Sequence, residues 1–190
     1  MKRISIFLAV CIFVLITSLP TFGQDFRNVS WGMSKEQVKQ NESLDLAREQ
    51  ENDLVYMTSI GSIDCLLFYY FVDDHLYSAI YWVVEDHATE NQYIDDYKRL
   101  KNMLTEKYGN PVIDEEIWGR SLYKNRPDDK GFAASIGDLT LLAEWETENT
   151  VIGIMLSGDN YEIGLAIMYD SKEYGVLAEE QKSQSELEKL

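Results

Sequence analysis

The chain has 190 residues, 45% of them hydrophobic, and a formal net charge of −16 at pH 7. This length suits one domain with a substantial core, or two small fused repeats. The excess of acid disfavours binding to nucleic acid and to anionic membrane surfaces, because both need clustered Lys and Arg. The acidic residues are spread along the chain, and solubility in an extracytoplasmic space explains them.

The first 23 residues have the pattern of a secretory signal peptide. A basic start at residues 1–3 precedes an apolar run over residues 4–16, and Gly23 supplies a small residue before the expected cut. The run is short for a membrane span. We therefore predict export to the periplasm or the extracellular space, without membrane insertion after cleavage. An uncleaved anchor and lipidation at Cys11 remain alternatives, although the apolar run continues past Cys11.

After cleavage the mature chain keeps a single cysteine, Cys65, and so has no intramolecular disulfide. Cys65 lies within an apolar run beside Asp64, with no basic neighbour to activate a thiol. We expect a small buried side chain.

The segment that opens the mature chain carries several helix-start signals. Ser34 and Gln37 have the spacing of a capping box, and Met33 and Val38 that of a hydrophobic staple. Gly32 allows the sharp turn before them. These signals predict a helix over residues 35–41.

Three strands are predicted next, after a polar connection over residues 43–52. The strand runs are rich in Val, Ile, Tyr and Phe and are separated by the turn signals Gly61-Ser62 and Asp73-Asp74. Their expected ranges are 53–60, 63–72 and 75–84.

A longer helix follows, with a second capping box at Thr89 and Gln92. Gly109 and Pro111 predict its end. Asp95 and Arg99 are spaced to pair on the exposed side. The apolar stripe consists of Tyr93, Tyr97, Leu100, Leu104 and Tyr108.

The sequence of the last third of the chain has the pattern of further strands. We expect them over residues 116–123, 139–146, 151–157 and 161–169, with a polar loop over residues 124–130. The stretch after Gly175 is polar, either a frayed helix or disordered.

These elements predict an α+β fold. Runs of strands after single helices imply an antiparallel sheet of about six to seven strands with two main helices packed on one face. The expected domain covers residues 24–175, with 176–190 as a polar C-terminal tail. Two tandem helix-plus-three-strand units, residues 26–86 and 88–170, are a further hypothesis.

The run Trp-Gly-Met-Ser-Lys-Glu-Gln-Val at residues 31–38 resembles the opening of a group of exported bacterial proteins of uncharacterised function. The hairpin around residues 69–79 and the run over residues 97–111 are similar to that group too. The order of elements resembles the tandem architecture of beta-lactamase-inhibitor proteins and small outer-membrane-assembly lipoproteins. Those are binding or scaffolding proteins without catalytic residues, so the resemblance implies a binding module of the cell envelope.

The sequence carries no catalytic motif that we recognise. His75 and His87 each follow an acidic residue, but they are not spaced as a zinc pair on a helix. The spaced acids of a calcium loop, the nucleophile elbow and the phosphate loop are missing from the sequence. We therefore predict no catalytic residue, no metal site and no cofactor.

The aromatic hairpin is the remaining signal. A two-residue turn at Asp73-Asp74 would pair residue 72 with residue 75, residue 71 with residue 76, and each earlier residue with the next later one. Regular pairing then puts Cys65 and Trp82 on the core face, and Tyr70, Tyr77 and Tyr81 on a half-exposed face. We predict these three tyrosines as a partner-binding face, because tyrosine binds at low entropic cost. Cross-strand pairs that only stabilise the sheet are the alternative.

Together these observations predict an exported, non-enzymatic protein that binds another envelope or secreted protein. The alternative is a secreted or periplasmic hydrolase, or a small-ligand or metal-binding protein.

Overall fold

The computed structural model describes residues 25–119 and 122–189. The predicted signal peptide and its cleavage site lie outside these ranges. The helices within them are α1 (Lys35–Asn41), α2 (Glu90–Tyr108), α3 (Lys130–Ser135) and α4 (Tyr174–Leu187). The strands are β1 (Leu46–Glu49), β2 (Asp53–Ile60), β3 (Ile63–Val72), β4 (His75–Val83), β5 (Ile113–Trp118), β6 (Leu139–Glu146), β7 (Thr150–Asp159) and β8 (Glu162–Ser171).

The described strands form one open antiparallel sheet in the order β1-β2-β3-β4-β8-β7-β6-β5. The predicted α+β class and antiparallel sheet are confirmed. The predicted count of six to seven strands is low, because β1 lies in the stretch expected to be a connection. All four β1 residues are exposed, so no apolar alternation marks the strand. Backbone pairing with β2 holds it in the sheet, together with the ion pairs of Arg48 with Asp53 and of Glu49 with Lys35 and Lys39.

Helix α1 begins as the capping box predicts. The Gln37 backbone N–H donates to the Ser34 hydroxyl over 3.3 Å, and the Ser34 N–H donates to the Gln37 side-chain oxygen over 2.9 Å. Such a cap stabilises a helix by about 1 kcal/mol. Just before it, Gly32 adopts a φ of +79°, which a residue with a Cβ rarely tolerates.

Three two-residue turns connect hairpins in this sheet. Both central residues have positive φ in each turn, at Gly61–Ser62, Asp73–Asp74 and Asn160–Tyr161. This is the signature of type I′ turns, whose twist matches that of the flanking strands. The first two were predicted. The third lies two residues later than the predicted turn over residues 158–160, and β7 and β8 are longer than expected.

Helix α2 has the predicted apolar stripe. Tyr97, Leu100 and Leu104 are buried against the sheet, and the C-cap is Gly109 with a φ of +85°. The predicted ion pair between Asp95 and Arg99 is wrong. Arg99 instead binds Asp96 and Lys98 binds Asp95, each three residues apart on the helix.

Two helices were not among the predicted main elements. A 3-10 turn lies in the predicted polar loop, and α3 begins at the last residue of that loop, Lys130, and continues over residues 131–135, to which no element was assigned. A Cβ on Gly131 would lie 2.4 Å from the backbone of Glu90 and Asn91, so this glycine permits the close approach of α3 to α2. α4 covers most of the predicted tail, for which the sequence allowed either a frayed helix or disorder. None of the helices in the described ranges is long and apolar enough to cross a membrane.

The main core lies between one face of the sheet and helices α1, α2 and α3. Phe26, in the opening segment, joins three core tyrosines, with ring centroids 5.7 Å from Tyr69, 5.5 Å from Tyr81 and 4.6 Å from Tyr169. Nearby, the Trp31 indole N–H donates to the Thr150 hydroxyl over 2.8 Å. The opening segment therefore ties the strands of both halves together from the core face.

The opposite side of the sheet, here called the outer face, is covered at one end by α4. Helix α4 contacts β3, β4 and β8 but buries none of its own residues. Register and burial assign these apolar side chains to the outer face: Val55, Met57, Leu66, Phe68, Ile80, Trp82, Ile113, Ile117, Leu142, Met155, Ala166 and Met168.

Candidate functional site

A bulge in β4 decides which side chains reach the outer face. Phe71 pairs with Leu76, but Tyr70 pairs with Ser78, so Tyr77 is an extra residue without a partner in the ladder. Because side chains alternate with a period of two, one extra residue inverts the faces of every later residue in the strand. From position 78 onward, the faces are the reverse of those that regular pairing predicts.

The inversion corrects three predicted positions. Trp82 and Ile80 were expected in the core and instead lie on the outer face. Tyr81 was expected on the half-exposed face and is only 7% exposed, within the core. There its hydroxyl oxygen accepts a hydrogen bond from Arg27 over 3.3 Å. Tyr81 is therefore not part of an exposed tyrosine face.

Tyr70 and Tyr77 do lie together on the outer side, half-buried at the end that α4 covers. Both line a cavity of about 500 Å³ between the sheet and α4, and Tyr77 also lines a second cavity of similar size on the other side of the helix. Tyr70 stacks on Phe68, with nearly parallel rings whose centroids are 5.9 Å apart. Burial raises the pKa of both phenols. Their role in binding a partner stays a prediction.

Beyond α4, the outer face leaves large apolar side chains open to solvent. Met57 is 68% exposed, Ile117 48%, Trp82 46% and Met155 37%. Isolated exposed apolar residues are common, but a patch that continues across a whole sheet is characteristic of an interaction surface. Of these residues only Trp82 was considered from sequence, and it was placed in the core. Met57 continues the apolar run over residues 54–56, so no period-two alternation in the β2 sequence marks its exposed position.

Acidic groups surround this apolar surface. Two cations on this side of the sheet are paired, Arg48 with Asp53 and Lys172 with Glu146. Lys182 of α4, which lines both cavities beneath the helix, forms no ion pair with a described residue. Further carboxylates on this face form no ion pair with any described residue. They include Asp64, Glu115, Glu144 and Glu162.

Glu42, whose side chain is fully buried, lies on the core side at the end of α1. Arg27 donates to both of its oxygens, over 2.9 and 3.1 Å, and the Tyr69 hydroxyl donates over 2.6 Å. The backbone N–H groups of Ser43 and Leu44 also donate to it. Burial opposes its charge, but the hydrogen bonds from Arg27 and Tyr69 outweigh burial and lower the pKa of Glu42. With five donors in place, this carboxylate anchors the opening segment.

The two histidines lie apart and each has a local partner. His75 Nδ1 is 2.8 Å from the Asp73 carbonyl oxygen, and its ring stacks on Tyr174. His87 Nε2 is 2.7 Å from the carboxylate of Asp96. Within residues 25–119 and 122–189, no three His, Cys, Asp or Glu side chains are grouped as metal ligands.

Comparisons of the chain with protein-family models, curated proteins and solved structures find no match. The function proposed below therefore rests on the geometry and charge of the chain itself.

Proposed function

We propose that this chain is an exported, non-enzymatic module that binds another envelope or secreted protein through the outer face of its sheet. The observation that carries the proposal is the open apolar surface around Met57, Trp82, Ile117 and Met155. Burying such side chains in an interface gains about 25 cal/mol per Å² of apolar area removed from water. Nothing in the described part of the chain covers these four side chains fully.

The size of the face suits a standard protein interface. Eight strands at about 4.8 Å spacing span roughly 34 Å, and strands of about eight residues run roughly 26 Å, which gives about 900 Å². Helix α4 has 14 residues and so covers roughly 200 Å² of this face, which leaves about 700 Å². A standard protein–protein interface buries about 600–1,000 Å² on each partner, so the open part of the outer face lies within that range.

The charge around the face indicates the chemistry of the partner. Because Asp64, Glu115, Glu144 and Glu162 form no ion pair with any described residue, they favour a partner whose apolar patch is surrounded by Lys and Arg. A second copy of this chain would bring the same acids to the interface and be repelled. The proposed partner is thus a basic protein and not another copy.

The tandem architecture is part of the same proposal. β2–β4 follow α1 and β6–β8 follow α2, and the last strand of each set, β4 and β8, pair at the centre of the sheet. This arrangement supports two helix-plus-three-strand units, as the resemblance to beta-lactamase-inhibitor proteins and assembly lipoproteins implies. Among the described residues, no specific observation favours the alternative of a hydrolase or a small-ligand or metal-binding protein.

The test is capture of partners from the envelope fraction with residues 24–190, followed by affinity measurement with the purified partner. The double variant Met57→Ser/Met155→Ser removes two exposed side chains of the outer face. We expect it to weaken binding at least tenfold, as loss of interface anchors does. The matched control is Met103→Ser/Leu122→Ser, since both residues are also exposed apolar side chains and neither lies on an outer-face strand or on α4.

Equal binding by both double variants would overturn the proposal. So would partner binding that requires the core-side surface of α2 instead. A concentration-dependent dimer in sedimentation, abolished by the outer-face variant, would replace the basic partner with a second copy.

A further inference from the structure

A cavity of about 460 Å³ opens where the outer face meets the start of α2. Three aromatic side chains from separate parts of the chain line it: Trp82 from β4, Tyr93 from α2 and Tyr161 from the β7–β8 turn. Trp82 belongs both to this cavity and to the outer face, so the cavity continues the proposed binding surface.

Two of the three aromatic rings, those of Trp82 and Tyr93, pack against neighbouring groups, whereas the Tyr161 side chain is 72% exposed and its turn is held through the backbone. A Cβ on Gly164 would lie 2.9 Å from the Trp82 ring, so the indole packs directly on the glycine backbone. The Tyr161 N–H donates to the Ser135 carbonyl over 2.9 Å, which holds the turn. Tyr93 meets His87 edge to face at 4.6 Å. Rings that are already in place lose little entropy when a ligand binds.

The cavity is rich in carboxylates. Asp86, Glu90 and Glu162 line it, and no Lys or Arg is among its lining residues. None of these three carboxylates forms an ion pair with a described residue. His87 also lines the cavity, with its Nε2 2.7 Å from the Asp96 carboxylate. Aromatic faces attract cations through the ring quadrupole, and nearby carboxylates add Coulomb attraction. The side chains that line this cavity therefore suit an alkylammonium or guanidinium group.

We propose that this cavity receives a Lys or Arg side chain of the protein that binds the outer face. The assignment rests on the proposed function, because the cavity adjoins the apolar surface and the acidic surroundings favour a basic partner. Nearby acids alone would attract any cation, whereas the ring walls favour one with an organic head group. The apolar stem of Lys or Arg would then cross the Trp82 ring before its charge reaches Glu162.

The first test uses small probes and the intact protein in solution. Nα-acetyl-lysine methylamide and Nα-acetyl-arginine methylamide should shift the Trp82 indole and Tyr161 amide NMR signals, with a dissociation constant on the order of 1 mM. The norleucine and citrulline analogues match their shapes without the charge and should bind at least fivefold more weakly. Equal binding of charged and neutral analogues would overturn the proposal. In Trp82→Leu, the response at Tyr161 should be lost.

The second test uses the captured partner. The variant Glu90→Gln/Glu162→Gln removes two charges at the cavity. The comparison variant Glu115→Gln/Glu144→Gln removes two charges elsewhere on the outer face. We expect the first pair to weaken partner binding at least tenfold more than the second. Equal weakening would mean that only long-range charge acts, and would overturn the proposal.

These outcomes separate the cavity from the proposed function. If a partner binds and depends on Met57 and Met155, but the lysine and arginine probes give no shift, the cavity proposal fails alone. If the probes bind and no partner does, the proposed function fails and the cavity remains a cation site. If choline binds more than tenfold tighter than both probes and Glu90→Gln/Glu162→Gln leaves partner binding unchanged, the ligand is a free organic cation and the Lys or Arg assignment is wrong.

Discussion

The buried carboxylate of Glu42 gives the sharpest stability prediction, through the substitution Glu42→Gln. One carboxylate oxygen accepts from Arg27, Ser43 and Leu44, and the other accepts from Arg27 and Tyr69. A glutamine amide keeps the shape but has only one acceptor oxygen. At least two of the five donors therefore lose their acceptor, whichever way the amide lies.

The expected loss is large because the side chain of Glu42 is fully buried and that of Arg27 is only 28% exposed. Breaking a buried ion pair from one side costs about 3–5 kcal/mol, and two lost hydrogen bonds at about 1–3 kcal/mol each agree with that range. In a chain of this size the melting temperature should fall by roughly 10 °C. Urea unfolding followed by tryptophan fluorescence measures the free energy of unfolding, with Glu146→Gln, in the exposed pair with Lys172, as the control.

The same variant predicts a pH dependence. Because the pKa of Glu42 is lowered in the folded protein, the stabilisation is complete above the ordinary glutamate pKa of about 4.3 and is lost as the pH falls through the folded-state value. The gap in unfolding free energy between the wild type and Glu42→Gln should thus be constant near pH 7 and shrink below about pH 4. A loss no greater than that of Glu146→Gln, or a gap unchanged at pH 3, would refute this role for the Glu42–Arg27 pair.

Three further outcomes follow from the fold. Tyr81→Ser should lower the free energy of unfolding by about 3 kcal/mol or more, as core truncations do, and Tyr77→Ser by clearly less; equal losses in urea titrations would contradict the inverted faces of β4. The Cys65 thiol should not react with Ellman's reagent until the protein unfolds, because burial raises its pKa to about 11; prompt labelling of the native protein would show that it is accessible. Gly32→Ala should destabilise the protein by about 1 kcal/mol or more, since φ is positive at this position and the new Cβ would lie 2.4 Å from the Tyr174 hydroxyl. Because Tyr174 is the first residue of α4, limited proteolysis should cut α4 faster in this variant than in the wild type.

Local signals account for the elements that the sequence predicts well. The start of α1 follows from Ser34 and Gln37, the apolar stripe of α2 from a period of 3.6 residues, and the hairpins from dipeptide turns between apolar runs. Each of these depends on residues within a few positions of one another. β1 and α3 lack such signals, because β1 forms by pairing with β2 and α3 depends on the packing of Gly131 against α2.

The candidate site was harder to predict, for a reason that is also physical. The faces of β4 depend on a single extra residue, Tyr77, and nothing in the hairpin sequence marks it as a bulge. The contacts that accompany the inversion come from far along the chain: Phe26 and Tyr169 pack on Tyr81, and the Arg27 side chain binds its hydroxyl. The alternation of side chains within one hairpin contains no information about these long-range contacts. Export itself stays a prediction from residues 1–23.

The central claim is that a partner binds the outer face, and methionine methyl groups report on it directly. Protein labelled with ¹³C at the methionine methyls serves for this test. Met57 and Met155 lie on the outer face, while Met103 is an exposed methionine of α2, on the other side of the sheet. On titration with the captured partner, we predict shift changes or broadening at Met57 and Met155 and none at Met103. Perturbation of Met103 with unchanged signals from Met57 and Met155 would contradict the claim.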